Sequence, residues 1–470
     1  FPPSQPVYPT ASTAPTPKPL TEPDVLAISA GADDPIWLRD HRQAAFKAFS
    51  DLQWPQVRDE DWRFTNPRRI PLDRPVLTEA TAGVAPRDAG ITVSSDDTAA
   101  RVRIVDGGFA GVEATALPEG VIVADLATAA AEHPELVQRH LGTAVANDEV
   151  YAAFAASAWT TGAFVYVPAE VEVEAPLAIT VQAAADGTHV QWVLLVAERH
   201  SKATVLLDQS GDAEATVINV VESVIGDGAT LNVVTAQDWG DNVSHVTTHR
   251  GRVGRDATYQ QSEITLGGNT VYVRPDVWLD GKGSNAELLG VYFPTGSEKF
   301  EHRSLIFHDA DHSTSDYVHK GALSDNGHAT WYGNIRIAPD AKQTVSDETN
   351  RNLILSPGAK ADTLPFLEIE TADVAACGHH SSVGQVDEVQ LWYLQSRGIS
   401  RDEAARMLVF AFFAEVLERI DAPGVADTVL ADIELAVRQA PATLMDPRRD
   451  AAARHWAAEA TQADAKAAKA

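Results

Sequence analysis

The hydrophobic pattern of the chain changes from helical to β-like and back to helical. Apolar residues within 34–49 recur among charged ones at helical spacing and leave one apolar face. A further helix is predicted over about 125–158. Between these two segments, the alternating residues 102–105 predict a strand that ends in a turn at Asp106. The first 160 residues are therefore expected to combine helices with a small amount of sheet.

The region from about 163 to 370 has the pattern of a long all-β segment. Short β-branched runs alternate there with Gly, Asn and Asp turns. A step recurs in which a polar residue or glycine precedes an alanine and a strand follows. The alanines at 203, 229, 257 and 286 lie 26, 28 and 29 residues apart, and those at 329 and 361 follow after 43 and 32. This interval favours the coils of a β-solenoid or β-helix, with a β-sandwich as the alternative.

The chain becomes helical again after residue 386. Apolar spacing predicts a helix over 386–395, and Gly398 is typical of the glycine that follows a helix. Ser400 and Glu403 form a predicted capping box for a helix over 404–420, and a third helix is expected over 426–439.

These patterns divide the chain into five parts. We expect a Pro-rich flexible tail over 1–30, an N-terminal helical and mixed domain over 31–160, a β-helix core over 161–376, a C-terminal helical domain over 377–445 and an Ala/Lys-rich tail over 446–470.

The composition restricts the partners and the compartment. A formal net charge of −29 opposes binding to nucleic acid and to anionic lipid. No segment approaches the roughly 20 apolar residues that span a membrane. The chain has one cysteine and its first residues lack a signal-peptide pattern, so we expect a reducing, cytoplasmic location.

The strongest candidate for metal chemistry is the single cysteine, Cys377, beside His379 and His380. Thiolate and imidazole are ligands that soft or borderline transition metals prefer. On a strand, Cys377 and His379 would share one face and His380 would point the opposite way, which favours His379 as the partner of Cys377. Three donors do not close a site, so ligands would have to come from elsewhere in the fold, from another chain or from a bound cluster. The alternative for Cys377 is a buried structural thiol.

Other clusters of polar residues are interpreted as surface and turn residues without a chemical role. The histidines at 302, 308, 312, 319 and 328 are interpreted as surface residues in turns, and Asp309, Asp311, Asp316 and Glu348 as acidic turn residues rather than an acid–base pair for sugars. A phosphate-binding Gly-x-x-x-x-Gly-Lys-Ser/Thr loop does not occur, so the chain is not expected to hydrolyse nucleotides by itself.

Several segments, in order, resemble the SufB/SufD family of scaffold subunits of the SUF iron–sulfur cluster assembly machinery. The matching segments are 35–46 (PIWLRDHRQAAF), 59–65 (DEDWRFT), 159–168 (WTTGAFVYVP), His319-Lys-Gly, 350–355 (NRNLIL), 367–370 (LEIE) and 391–398 (LWYLQSRG).

Two sequence features indicate the SufD branch. SufB-type chains carry a sulfur-accepting cysteine where this chain has Asn350, so persulfide is not expected to be received there. SufD-type chains usually read Cys-Ser-His-Gly-Ala-Thr, and here Cys377 and His379 occupy the matching positions. Gly378 in place of Ser and His380 in place of Gly are departures, and they leave open whether His380 adds a ligand.

The resemblance implies a mainly β fold, with a right-handed parallel β-helix between helical segments. It implies pairing with a SufB-like subunit through that β-helix and docking of a SufC-like ABC-type ATPase on the C-terminal helices. The residues of this C-terminal region expected to contact the ATPase are Arg397, Leu408, Phe412 and Phe413.

The resemblance also implies a nascent iron–sulfur cluster at the SufB–SufD interface, with His379 and Cys377 as binding residues and His380 as a weaker candidate. The chain itself would be a non-catalytic scaffold. Reduced flavin is used in some related complexes, and the sequence leaves its use here open. The alternatives are a polysaccharide-acting β-helix enzyme and a homodimeric scaffold of the SufB type.

Overall fold

A computed structural model describes residues 20–81, 84, 98–115, 117–422 and 424–439. Within these ranges, helices lie at both ends of a long region of strands. The helices are α1 Glu22–Gly31, α2 Ile36–Asp51, α3 Leu126–Glu132, α4 Pro134–His140, α5 Val150–Ala158, α6 Glu388–Ser396, α7 Arg401–Leu417 and α8 Val425–Gln439. Two short 3₁₀ turns, Glu60–Trp62 and Pro67–Arg69, follow α2.

The described strands form two sheets. The strands of the first sheet, in spatial order, are β2 Gly108–Ala114, β1 Ala100–Val105, β5 Leu177–Ala183, β7 Lys202–Gly211, β9 Thr230–Trp239, β11 Thr258–Thr265, β13 Asn285–Tyr292, β15 Thr314–Leu323, β17 Val345–Ile354 and β19 Ala376–Gly384. Those of the second are β3 Ile122–Asp125, β4 Thr161–Val167, β6 Gly187–Ala197, β8 Ala215–Ile225, β10 Ser244–Val253, β12 Thr270–Leu279, β14 Lys299–His308, β16 His328–Ile337 and β18 Lys360–Ile369.

Successive strands of each sheet, from β4 and β5 onward, pair in parallel. In the first sheet Lys202 pairs with Thr230, Thr230 with Thr258, and Thr258 with Asn285. Each step advances the chain by one coil that contributes one strand to each sheet, which makes a parallel β-solenoid of about 8 turns. The predicted β-solenoid is confirmed. The β-sandwich is excluded, because sandwich sheets are antiparallel.

The alanine repeat reflects the coil length and not one structural position. Ala203 and Ala286 share a register row, whereas Ala229 and Ala257 lie two residues before that row in their own coils. A shift of two keeps the side chain on the same face of the sheet, so all four alanines are buried. The alanines at 329 and 361 belong to the second sheet, which explains why the interval changed after residue 286.

Interior side chains of the two sheets form a continuous apolar cluster along most of the solenoid. Its members include Val205, Val233, Leu288 and Ile335, each almost fully buried. Burying one such side chain contributes about 1.5–3 kcal/mol, so stacking of the coils stabilises the fold. A second cluster joins α2 and α5 to the outer face of the second sheet.

The single helix predicted over 125–158 is wrong, since three helices occupy that range. The second of them begins at Pro134, whose fixed φ suits a first helical position, and Gly142 then adopts a φ of +75° beyond its end. Glu149 caps the third by accepting hydrogen bonds from the N–H groups of Tyr151 and Ala152 at 3.1 and 3.0 Å.

The N-terminal tail expected over 1–30 overlaps helix α1. Pro23 lies in the first turn of that helix, where it costs no hydrogen bond, and the Thr21 N–H donates to the Asp24 carboxylate at 2.8 Å. Pro23, which the prediction included in a flexible tail, therefore belongs to the first turn of a helix. Residues 1–19 and the tail expected over 446–470 lie outside the described residues.

The C-terminal helices end and begin at the predicted signals. Gly398 has a φ of +90° after α6, and its N–H bonds to the Gln395 carbonyl at 3.0 Å. Ser400 accepts from the N–H of Glu403 at 3.3 Å and caps α7, which starts at Arg401, three residues before the predicted start. This helix then packs on β13 and β15.

Candidate functional site

Strand β19 carries Cys377, His379 and His380, so the β region continues past the boundary expected at residue 376. It pairs in parallel with β17 on one side only and stands last in the order of the first sheet. No strand of the described chain covers its other edge. Residues 377–384 therefore belong to the solenoid and not to the C-terminal helical domain, because they extend the same ladder by one more coil.

The three candidate donors alternate between the two faces of β19. Cys377 is half-buried and packs against the interior apolar cluster. The His379 Nδ1 lies 3.9 Å from the buried carboxylate of Glu348, its register partner on β17. His380 points to the other face, with Nε2 3.5 Å from Asp347 and 70% of its side chain exposed. Cys377 and His379 therefore share one face of β19, as the period of two along a strand predicts.

His379 ends a row of inward-facing residues that runs through the first sheet. In register, this row reads Leu177, Val205, Val233, Gln261, Leu288, Tyr317, Glu348 and His379. The row is mostly apolar in the early coils and polar in the last three. The neighbouring row changes in the same way and ends with His319, Asn350 and Ser381. The interior of the solenoid therefore becomes polar toward the end that bears His379.

Burial dominates the electrostatics at this end. It raises the pKa of Glu348 to about 8, with the nearby Phe366 backbone N–H opposing that rise and the Asp347 charge adding to it. Burial, with the Glu348 and Asp347 carboxylates, raises the pKa of the Cys377 thiol to about 11. The thiol is therefore protonated at neutral pH, and a metal would have to displace its proton.

Three histidines interpreted as surface residues lie inside the solenoid, so that interpretation is wrong for them. His302, His308 and His319 are fully buried because they occupy inward positions of β14 and β15. Burial lowers the pKa of His302 to about 3 and that of His308 to about 4. His312 does lie in a turn, with a φ of +57°.

His319 is the centre of a buried aromatic group. Its ring centroid lies 5.3 Å from His302 and 4.6 Å from Tyr317. Neither of its ring nitrogens has a hydrogen-bond partner among the described residues. The Tyr292 hydroxyl donates to Asn352 at 2.6 Å and accepts from Asn350 at 2.9 Å. The sequence analysis missed this group because the sequence does not indicate whether a histidine or tyrosine within a strand points into the solenoid or out of it.

Glycines make room for these large polar side chains. A Cβ at Gly290 would lie 2.2 Å from the His319 ring, and one at Gly333 would lie 2.4 Å from the Glu348 carboxylate. Within the predicted His319-Lys-Gly segment, a Cβ at Gly321 would lie 2.0 Å from the Tyr292 ring. Glycine at an inward strand position is the sequence signal that could have located this interior group.

The acidic residues do not form the pair that sugar chemistry would use. Asp311 accepts from the backbone N–H of Lys342 at 2.8 Å, and Asp316 pairs with Arg419. Glu348 is enclosed in the interior. No three His, Cys, Asp or Glu side chains in the described part of the chain converge to hold a metal ion, which leaves Cys377 and His379 as an incomplete donor set.

The four residues of the C-terminal helical region that were expected to contact a SufC-like ATPase differ in exposure. Phe413 is fully buried against Phe293, so its side chain is not available to a partner. Leu408 and Phe412 are half-buried in the packing of α7, and Arg397 is exposed beside Tyr393. The correction follows from helical period, since one face of α7 covers the solenoid.

A different apolar surface is exposed on these helices. Val389, Trp392, Tyr393 and Met407 expose 73, 68, 53 and 42% of their surfaces. We call the three of them that lie on α6, Val389, Trp392 and Tyr393, the α6 patch. Within the described residues, no helix combines the length and apolarity needed to cross a membrane.

Comparison with known proteins places this architecture in a family. The model "SUF system FeS cluster assembly, SufBD core domain" matches residues 180–412, and the "SufBD protein N-terminal region" matches residues 30–179. The chain belongs to the SufBD family of SUF iron–sulfur cluster assembly proteins.

Relatives in several bacteria agree with the SufBD assignment. The iron–sulfur cluster assembly protein SufD of Bacillus subtilis is 28% identical over 88% of this chain and 97% of its own length. An iron–sulfur cluster assembly SufBD family protein of Mycobacterium tuberculosis is 37% identical over 62% of this chain and 74% of its own. A SufBD family protein of Mycobacterium leprae is 36% identical over 60% and 74%. The predicted SufB/SufD membership is confirmed.

Proposed function

We propose that this SufBD protein is a SufD-type, non-catalytic scaffold subunit that binds a nascent iron–sulfur cluster together with a SufB-like partner. The observation that carries the proposal is the position of His379 and Cys377. They lie on the last strand of the solenoid, on one face, next to a sheet edge that no described strand covers. The reducing cytoplasm is the expected location, because the donor thiol must stay reduced.

The uncovered end of the solenoid is the proposed contact with the SufB-like subunit. An edge strand presents unpaired backbone N–H and C=O groups that can pair with another chain. Val345, Phe366, Ile369 and Val383 are large apolar residues near this end, and each exposes between 39 and 45% of its surface. Apolar side chains around an open edge favour association with a protein surface over solvent.

The incomplete donor set suits a cluster that is built and then passed on. His379 supplies an exposed imidazole and Cys377 a half-buried thiol, so the remaining ligands have to come from the partner. A site divided between two subunits opens when the subunits separate, and the cluster, which is the cargo here, can then leave. His380 faces the other side of the strand and is not included in the proposed ligand set.

The α6 patch is the proposed docking surface for a SufC-like ABC-type ATPase. It contains two exposed aromatic residues, Trp392 and Tyr393, and the exposed cation Arg397 lies with its guanidinium 5.1 Å from the Tyr393 ring centroid. Aromatic residues and arginine are enriched in protein interfaces and often dominate their binding energy. ATP turnover would belong to that partner and not to this chain.

The test is anaerobic co-expression of the chain with SufB-like and SufC-like subunits, followed by measurement of iron and acid-labile sulfide. We expect His379→Ala and Cys377→Ser to assemble into the complex but to lose most of the iron. The matched control is His380→Ala, which should keep it, because that ring faces away. Full iron in both His379→Ala and Cys377→Ser, or failure of the wild-type chain to form a complex, would overturn the proposal.

A further inference from the structure

Glu348 is a buried carboxylate that the fold holds against His379. The two residues are register partners on β17 and β19, and the Glu348 Oε1 lies 3.9 Å from the His379 Nδ1. The Glu348 side chain is fully buried, whereas 43% of the His379 side chain is exposed. The imidazole therefore has one nitrogen turned toward an interior acid and its other edge toward solvent.

The space for this carboxylate is provided by a glycine. Gly333 lies on β16 of the opposite sheet, and a Cβ there would come within 2.4 Å of both the Glu348 Oε2 and the Trp331 ring. Neither Glu348 oxygen has a hydrogen bond of good geometry among the described residues, and the nearby Phe366 backbone N–H only partly offsets the effect of burial. Burying a carboxylate without such a bond costs free energy. We therefore expect a further hydrogen-bond donor for Glu348 beyond the groups of the solenoid interior.

His379 is the group that can supply the missing donor. A short movement of its exposed ring brings Nδ1 within hydrogen-bond distance of Oε1. The adjacent carboxylate, Asp347, faces outward, where it lies beside His380 and accepts from the Thr349 hydroxyl at 3.4 Å. Histidines that bind metals usually donate their second ring N–H to a carboxylate or carbonyl, which fixes the tautomer and the ring orientation.

We propose that Glu348, as an ionised carboxylate, is a positioning residue for His379: it accepts the Nδ1–H and so leaves Nε2 free and turned outward to bind iron. Gly333 keeps the place of the carboxylate open. The statement about iron rests on the proposed function, whereas the statement about the tautomer does not.

The tautomer can be measured in the full chain without any cluster. The probe is ¹⁵N NMR of labelled histidine side chains at about pH 9, where ordinary histidines are neutral, with the His379 signals assigned by comparison with His379→Gln. We expect the Nδ1–H form in the wild type and a shift toward Nε2–H in Glu348→Ala. Glu348→Gln should restore part of the Nδ1–H form, because its amide oxygen still accepts. The matched control is Asp347→Asn on the other face, which should leave the tautomer unchanged.

A second measurement separates positioning from mere structural support. In the co-expressed complex, Glu348→Ala should lower iron affinity by roughly 10-fold or more, and Glu348→Gln should recover part of it. Gly333→Ala should reproduce the Glu348→Ala tautomer by displacing the carboxylate. A wild-type chain that already shows Nε2–H, or a Glu348→Ala chain with an unchanged tautomer, would overturn the inference.

The two proposals fail in different ways. If the tautomer follows Glu348 while His379→Ala keeps full iron, the cluster role of His379 is wrong and the positioning of its ring still holds. If His379→Ala loses iron but the tautomer ignores Glu348, the cluster role holds and Glu348 is not the positioning residue.

Discussion

Lys320 and Glu415 form an ion pair in which the lysine is almost wholly buried and the carboxylate is exposed. The Lys320 Nζ also donates to the Phe412 carbonyl at 2.8 Å and lies 4.7 Å from the centroid of the Phe412 ring. Burial lowers the pKa of Lys320, and the Glu415 carboxylate opposes that effect. This lysine of β15 therefore anchors helix α7 to the solenoid.

Lys320→Ala should loosen this attachment and lower the free energy of unfolding by about 2–4 kcal/mol. The substitution removes the hydrogen bond to α7 and the contact with the Phe412 ring, and it leaves a cavity. The measurement is chemical denaturation followed by circular dichroism, with hydrogen exchange to locate the change.

The matched control for this lysine is Lys47→Ala, which removes an exposed pair with Asp51 four residues along a helix. Such pairs contribute about 0.5 kcal/mol or less. Equal losses in the two variants, or faster exchange that does not include α7, would show that Lys320 is not the anchor.

Trp392→Ala should weaken partner binding without changing stability, whereas Phe413→Ala should lower the stability of the fold. Trp392 is mostly exposed on the α6 patch, so its removal should leave the melting temperature unchanged and weaken binding of the SufC-like subunit at least about 10-fold. Phe413 is fully buried, and its removal should cost about 3–5 kcal/mol of stability. Calorimetric binding and thermal melts of both variants provide the comparison. Normal partner affinity in Trp392→Ala would place the docking surface elsewhere.

Glu298 should make the protein less stable as the pH rises. Burial raises its pKa from 4.5 to about 8, with the bonds from Thr295 opposing the rise. The folded chain thus keeps a proton that the unfolded chain has already lost, and the free energy of unfolding falls between about pH 4.5 and pH 8. Glu298→Gln still accepts the Thr295 N–H and removes this loss, so its stability relative to wild type should be a few kcal/mol better at about pH 9 than at about pH 5.

Denaturation curves across that pH range test the Glu298 prediction. The control is Glu418→Gln at an exposed position directly after the end of α7. If the free energy of unfolding changes with pH in the same way in wild type and Glu298→Gln, Glu298 has an ordinary pKa in the folded chain.

Much of the architecture could be predicted because the relevant signals are local. Strand alternation and turn residues indicated the coils, and Gly398 and Ser400 indicated helix ends, since φ preference and side-chain capping act within a few residues. The placement of Cys377 and His379 on one face needed only the period of two along a strand.

The interior site could not be predicted because it depends on which coil stacks on which. Tyr317, Glu348 and His379 follow one another at intervals of 31 residues along the sequence and become neighbours only through the register of the first sheet. Nothing in the local sequence of Glu348 distinguishes it from an acidic turn residue. The burial of Phe413 likewise depends on which face of α7 meets β13 and β15.

Cys377 should react slowly with alkylating reagents, although it is the only cysteine and lies near the open end of the solenoid. Its pKa of about 11 leaves about one thiolate in a thousand at about pH 8, and the thiolate is the nucleophile. We expect iodoacetamide to modify the native chain at least about 10-fold more slowly than the urea-unfolded chain, where the pKa returns to its ordinary range. Glu348→Gln should speed the native reaction, because it removes one of the charges that raise the pKa. Equal rates in the native and unfolded chains would mean that the thiol is neither shielded nor held in its protonated form. A site that keeps its thiol protonated until a metal displaces the proton would resist oxidation between rounds of cluster assembly.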